Sequence, residues 1–169
     1  MKDFLQGKWL GHPLHPLFVH IPTALWPSAL VLDILSMLGV GGNAMVQTSF
    51  YAILFGLITA LIGIPFGLAD WWGIGKDKPA WALGAYHMIL NLTGAVFWAL
   101  NLGLRAANLN RATQVTILQL MLSLIGVFFL FVAVYLGERM VFGFGTSVAR
   151  ISKEYWRRIA EAGGSKTSQ

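Results

Sequence analysis

The sequence predicts an all-α integral membrane protein, an antiparallel four-helix transmembrane bundle, and three observations carry that prediction. The chain is 56% hydrophobic and 11% charged, whereas soluble domains carry about 25% charged residues. Four apolar runs, at about 17–40, 49–70, 81–104 and 114–137, are each long enough to cross a hydrocarbon core of roughly 30 Å. Short polar breaks separate them, Gly39 to Asn43, Gly75 to Pro79 and Arg105 to Arg111, so consecutive spans are expected to be antiparallel neighbours.

The chain divides into an irregular His/Pro leader (1–16), the transmembrane domain (17–147) and a basic tail (148–169). The first run is too long for a signal-peptide core, so it is expected to stay in the mature chain. No internal repeat or linker is visible. With no cysteine, disulfides, thiolate-bound clusters and covalently attached haem are excluded, and a metal or cofactor has only N and O ligands. Four crossings put both termini and the 71–80 loop on one side with Lys2, Lys8, Lys76, Lys78, Arg139 and the tail cations, against Arg105 and Arg111 on the other. That bias predicts cytoplasmic termini.

Polar and small residues recur inside the spans with helical spacing: Gly56, Thr59, Gly63, Gly67 and Asp70 in the second, His87, Asn91, Gly94, Trp98 and Asn101 in the third, Gln119, Ser123 and Gly126 in the fourth. These stripes are expected to face inward, with close packing as their plainest role. Asp33 lies some 13 residues, roughly 20 Å, beyond His20. At that depth a carboxylate is paired or functional, and a structural pair with Arg105, or a hydrogen bond to the amide of Asn101 or Gln119, is expected, with a proton-relay role as the alternative.

Three of the four histidines, His12, His15 and His20, crowd into GHPLHPLFVH at the start of the first span. Antiparallel topology brings them to the same membrane face as Asp70, Trp71, Trp72, His87 and Glu138. The prolines at 13, 16 and 22 stiffen this corner, and Pro16 or Pro22 can open a helix.

These residues resemble a known family. GHPLHPLFVHIPTALW, Asp33, GLADWW, an early histidine in the third span and GERMVFGFGTSV, in that order, are similar to the bacterial four-span membrane family called domain of unknown function family 2231, over roughly residues 11–148. The resemblance implies a fold and a membrane location without an agreed activity, and relatives joined to redox domains imply an association with electron transport. His12, His15, His20, Asp33, Asp70, His87 and Glu138 match its pattern by position. Where many relatives have an Arg-His-Gly run, this chain has Gly143-Phe144-Gly145, so a role resting on that histidine does not carry over.

Two histidines from facing helices are the usual grip on b-type haem, with glycine making room for the macrocycle. His20 with His87 is the pair expected to ligate iron, His12 and His15 being further cofactor contacts and Asp70, Glu138 and Asn91 supporting groups. A divalent metal held by His12 and His15 with Asp70 or Glu138, a chlorophyll magnesium, a quinone, or simple headgroup anchoring are the alternatives. Nothing resembles a nucleophile with its base, a phosphate loop or a nucleic-acid surface. The expected function is therefore a haem-binding electron-transfer module, with a cofactor-free accessory or scaffold subunit of a larger respiratory or photosynthetic complex as the alternative. No stand-alone enzymatic activity is expected, and the partners are the bilayer and other subunits. In the tail, Val148, Ile151, Tyr155, Ile159 and Ala162 form one apolar stripe among Arg150, Lys153, Arg157 and Arg158, predicting an interfacial amphipathic helix over about 148–162.

Overall fold

A computed structural model of the chain describes residues 2–11, 13–146, 158, 161 and 162. Among these, the ordered elements are all helical: α1 (Lys2–Leu5), a 3-10 turn (Lys8–Leu10), α2 (His15–Met37), α3 (Gly42–Trp71), α4 (Pro79–Ala106) and α5 (Ile117–Glu138), which continues as a π-turn over Arg139–Gly143. Four of them, α2 to α5, are long and apolar enough to cross a membrane. The protein is an all-α, four-span membrane bundle.

Local chemistry explains where each span starts. Pro16 sits in the first turn of α2, where a missing N–H is harmless and a fixed φ is already helical. The helix therefore opens at His15, taking that histidine out of the leader, while Pro22 and Pro27 lie inside it and not at its start. Positive φ at Gly41 (76°) and Gly42 (53°) turns the chain into α3. Lys78 is extended ahead of Pro79, the first residue of α4. Thr116 opens α5 with a capping box: its side chain accepts from the Gln119 N–H, and the Gln119 side chain accepts from the Thr116 N–H at 2.8 Å. The leader is not wholly irregular, since α1 and the 3-10 turn order it, and Gln6 Nε2 donates to the Ala69 carbonyl at 2.9 Å, pinning it to the end of α3. The expected tail helix lies outside the described residues, apart from helical positions at Arg158, Glu161 and Ala162.

The helices pack as two hairpins, α2 with α3 and α4 with α5, which dock through α2 on α5 and α3 on α4. Among the described residues, α2 and α4 lie on a diagonal, their Cα atoms nowhere within 8 Å. Only long side chains cross that gap. Trp26 and Trp98 stack at its centre, ring centroids 5.4 Å apart and 20° from parallel. The other diagonal supplies the room: a Cβ on Gly56 of α3 collides with the Trp26 indole, and one on Gly126 of α5 falls 2.6 Å from that of Trp98. Ala29, Ile53, Leu57, Val127 and Leu130 close the core around the pair. The stripes expected to face inward do so at Gly56, Gly63, Gly94, Trp98, Asn101, Gln119, Ser123 and Gly126, all buried, while Phe55, Leu61, Phe128 and Phe131 point outward.

Candidate functional site

Two layers flank the tryptophans, one at each end of the bundle. At the end near the termini, His15 of α2 faces His87 of α4, ring centroids 6.4 Å apart and planes 81° to each other. His15 Nδ1 lies 3.1 Å from the Gly63 carbonyl of α3, and His87 Nδ1 lies 2.7 Å from the Ala133 carbonyl of α5. A carbonyl only accepts, so each Nδ1 carries the proton and each Nε2 presents a lone pair. His87 Nε2 accepts from Asn91 Nδ2 at 3.1 Å, and the same amide also donates to the His87 carbonyl at 2.8 Å.

Both carbonyls are reachable for the same reason. In a helix the side chain at i+4 leans back over the carbonyl of residue i, and the residues four beyond Gly63 and Ala133 are Gly67 and Gly137. A Cβ on Gly67 falls 2.7 Å from His15 Cε1, and one on Gly137 falls 3.1 Å from His87 Cε1. These glycines do more than let helices approach: they expose the acceptors that orient the imidazoles. Phe18 stacks on Phe66 at 5.0 Å near His15, and Trp71 Nε1 donates to the Trp81 carbonyl at 2.9 Å, tying α3 to the start of α4.

The ring that faces His87 is thus His15 and not His20. His20 comes five residues later, about 140° around the helix from His15 at 100° per residue, and it is exposed. Glu138 is exposed and Asp70 half-buried; among the described residues the imidazoles bond to backbone carbonyls and Asn91, not to either carboxylate. No group of three His, Cys, Asp or Glu able to hold a metal ion occurs among the described residues. His12 lies outside them.

At the opposite end Asp33 and Arg105 meet on the same diagonal. Arg105 Nη2 lies 2.6 Å from Asp33 Oδ2, both side chains fully buried. Ser49 of α3 donates to Asp33 Oδ1 at 2.6 Å and Ser123 of α5 to Oδ2 at 2.6 Å. Arg105 Nη1 reaches Ser49 Oγ at 3.0 Å and Nε reaches Asn101 Oδ1 at 2.9 Å, while Asn101 Nδ2 donates to Ser123 Oγ and the Gln119 carbonyl. Every spanning helix contributes. A buried ion pair is tolerable in a bilayer only when its remaining lone pairs and protons are satisfied, and the serines and the amide supply that. The sequence reading missed Ser49 and Ser123 as members, because serine in an apolar run usually marks close packing.

The model of a family described as "Predicted membrane protein (DUF2231)" matches residues 11–150. No curated protein and no solved structure matches the chain.

Proposed function

Since the chain belongs to the DUF2231 family of predicted membrane proteins, whose description carries no activity, we propose a function from the site: a membrane-embedded electron-transfer module that binds b-type haem, or another tetrapyrrole, between His15 and His87. One observation carries the reading, the facing of two imidazoles already oriented through Nδ1. Hydrogen bonding of the distal ring nitrogen to a carbonyl is the usual support of a metal-bound histidine, because it fixes the tautomer and raises ligand basicity. The two rings face each other across the α2–α4 diagonal with centroids 6.4 Å apart. Gly67 and Gly137 seat the two imidazole rings themselves, and the Asn91 amide must yield the Nε2 of His87 to a metal. Such a cofactor would supply one-electron chemistry, and His15 and His87 would hold it in a low-dielectric surround.

The proposed location is a bacterial inner membrane with the histidine end cytoplasmic. Lys2, Lys76, Lys78 and Arg139 are exposed at that end, whereas Arg105 is buried against Asp33, leaving Arg111 as the exposed cation of the far loops among the described residues. Other subunits of an electron-transport complex are the proposed partners.

A second reading, a cofactor-free accessory subunit, is favoured by the Asn91 bond that already occupies His87 Nε2. Absorption spectra of the purified protein, oxidised and dithionite-reduced, before and after hemin addition, separate the two. A Soret band that disappears in His15→Ala and His87→Ala but survives in His20→Ala supports haem ligation. A protein that gives no shifted Soret band even with excess hemin overturns haem ligation and favours the accessory-subunit reading.

A further inference from the structure

The two hairpins repeat one another. His15 and His87, Trp26 and Trp98, and Asp33 and Arg105 are each separated by 72 positions, and all six lie on the α2–α4 diagonal. On the other diagonal Gly56 and Gly126, Gly63 and Ala133, and Gly67 and Gly137 are each separated by 70. The contacts repeat with the residues. Within the first hairpin the histidine bonds the carbonyl of residue 63 over Gly67, and the tryptophan lies on Gly56; within the second, the histidine bonds the carbonyl of residue 133 over Gly137, and the tryptophan lies on Gly126. The contacts between hairpins are the self-pairings this demands: histidine to histidine, tryptophan to tryptophan, and residue 33 to residue 105. Antiparallel neighbours leave α2 parallel to α4 and α3 parallel to α5, so the operation relating the halves is a two-fold rotation about the bundle axis.

We infer that the chain is an internal repeat of one helical hairpin about a pseudo-two-fold axis along the membrane normal, and that its histidine site straddles this axis as a single two-sided centre. Each hairpin then contributes an equal half: one imidazole, the carbonyl that orients it, and the glycine that exposes the carbonyl. The ligand class that suits such a centre is a planar metal tetrapyrrole coordinated on both faces, rather than an ion held to one side by a carboxylate. This ligand class rests on the haem reading above; the repeat itself does not. The symmetry ends where the chemistry differs, since Asn91 supports His87 and its counterpart 72 positions earlier is Val19. It also ends at residues 33 and 105, where equivalent positions carry opposite charges.

Two measurements on the full-length protein in detergent micelles test the inference. In the first, Asp33→Arg, Arg105→Asp and the double exchange are compared by the monodisperse fraction on gel filtration and by thermal midpoint. Equivalent positions about an axis let arginine reach its partner from 33 as it does from 105, so the exchange is expected to regain about half or more of what the worse single variant loses. An exchange that fails to improve on the single variants overturns the repeat. In the second, hemin is titrated into His15→Ala and His87→Ala. Equal loss of the six-coordinate spectrum, regained in both on adding free imidazole, is expected of a two-sided centre, and loss in one variant alone overturns it. If the charge exchange rescues while the wild-type protein takes up no hemin, the repeat stands and the haem reading falls.

Discussion

Replacing Asp33 by alanine removes the acceptor of three hydrogen bonds and leaves a guanidinium with no accessible surface and no counter-ion. Breaking a buried pair from one side costs about 3–5 kcal/mol, because the surviving charge stays desolvated. For a chain of this size each kilocalorie shifts the thermal midpoint by about 2–4 °C, so a drop of roughly 6–20 °C is expected. Removing both charges together, as Asp33→Leu with Arg105→Leu, newly unpairs Asn101 Oδ1 at about 1–3 kcal/mol but strands no charge, since Ser49 and Ser123 lose their acceptor in the single variant too. The double variant is therefore expected to be more stable than the single one despite the extra substitution. Thermal scans and SDS titration in mixed micelles, followed by far-UV circular dichroism, give both numbers. The reasoning fails if Asp33→Ala costs less than about 1 kcal/mol, or if the double variant is as unstable as the single.

Gly126→Ala places a methyl group 2.6 Å from the Trp98 indole, an overpacking expected to cost about 1–3 kcal/mol; adding Trp98→Phe should recover part of the loss in the same unfolding assay. Thr116→Ala dismantles the capping box at the start of α5, and about 1 kcal/mol is expected to be lost, read as a lower thermal midpoint. A synthetic peptide of residues 148–169 is expected to bind anionic vesicles and to leave them as salt rises, each Lys or Arg contributing about 1 kcal/mol. Binding that ignores lipid charge and salt in a sedimentation assay moves the tail to a protein partner.

The spans were legible because a bilayer imposes length and apolarity directly on sequence, and the stripe of Gln119, Ser123 and Gly126 because helical periodicity sorts buried from lipid-facing positions. The facing pair of histidines was less so. Placing Pro16 at the boundary as a helix opener starts the first span at about 17 and leaves His15 in the leader, although proline in a first turn is equally compatible with a helix that begins one residue earlier. Once α2 starts at His15 the arithmetic changes. At about 100° per residue, His15, Pro22, Trp26 and Asp33 fall within roughly 20° of one line, and His20 falls outside it. That line was readable, but only with the correct first residue. The repeat was hidden for another reason: its halves share a histidine, a tryptophan and two glycines at equivalent depths, while most other positions differ. Geometry gives each of the four a use: the histidine reaches its carbonyl only over a missing Cβ, and the tryptophan fits only against a facing glycine. No composition-based search weights them.

The diagonal placement of Asp33 and Arg105 bears on how the chain enters the membrane. Synthesis runs from the N-terminus, so the first hairpin reaches the bilayer with its carboxylate before the arginine exists there. A lone charge near the middle of a span costs about 2.5–3.5 kcal/mol at insertion, and at a helix end less; Asp33 lies four residues from the end of α2, and Ser49 of its own hairpin already donates to it. Arg105 arrives later with Asn101 of its own helix as a first partner. Each hairpin thus brings one polar partner for its own charge but not the counter-ion. Neutralisation comes only when the second hairpin docks on the first, which makes the late step of assembly directional and leaves any copy that stops halfway marked by an unpaired charge.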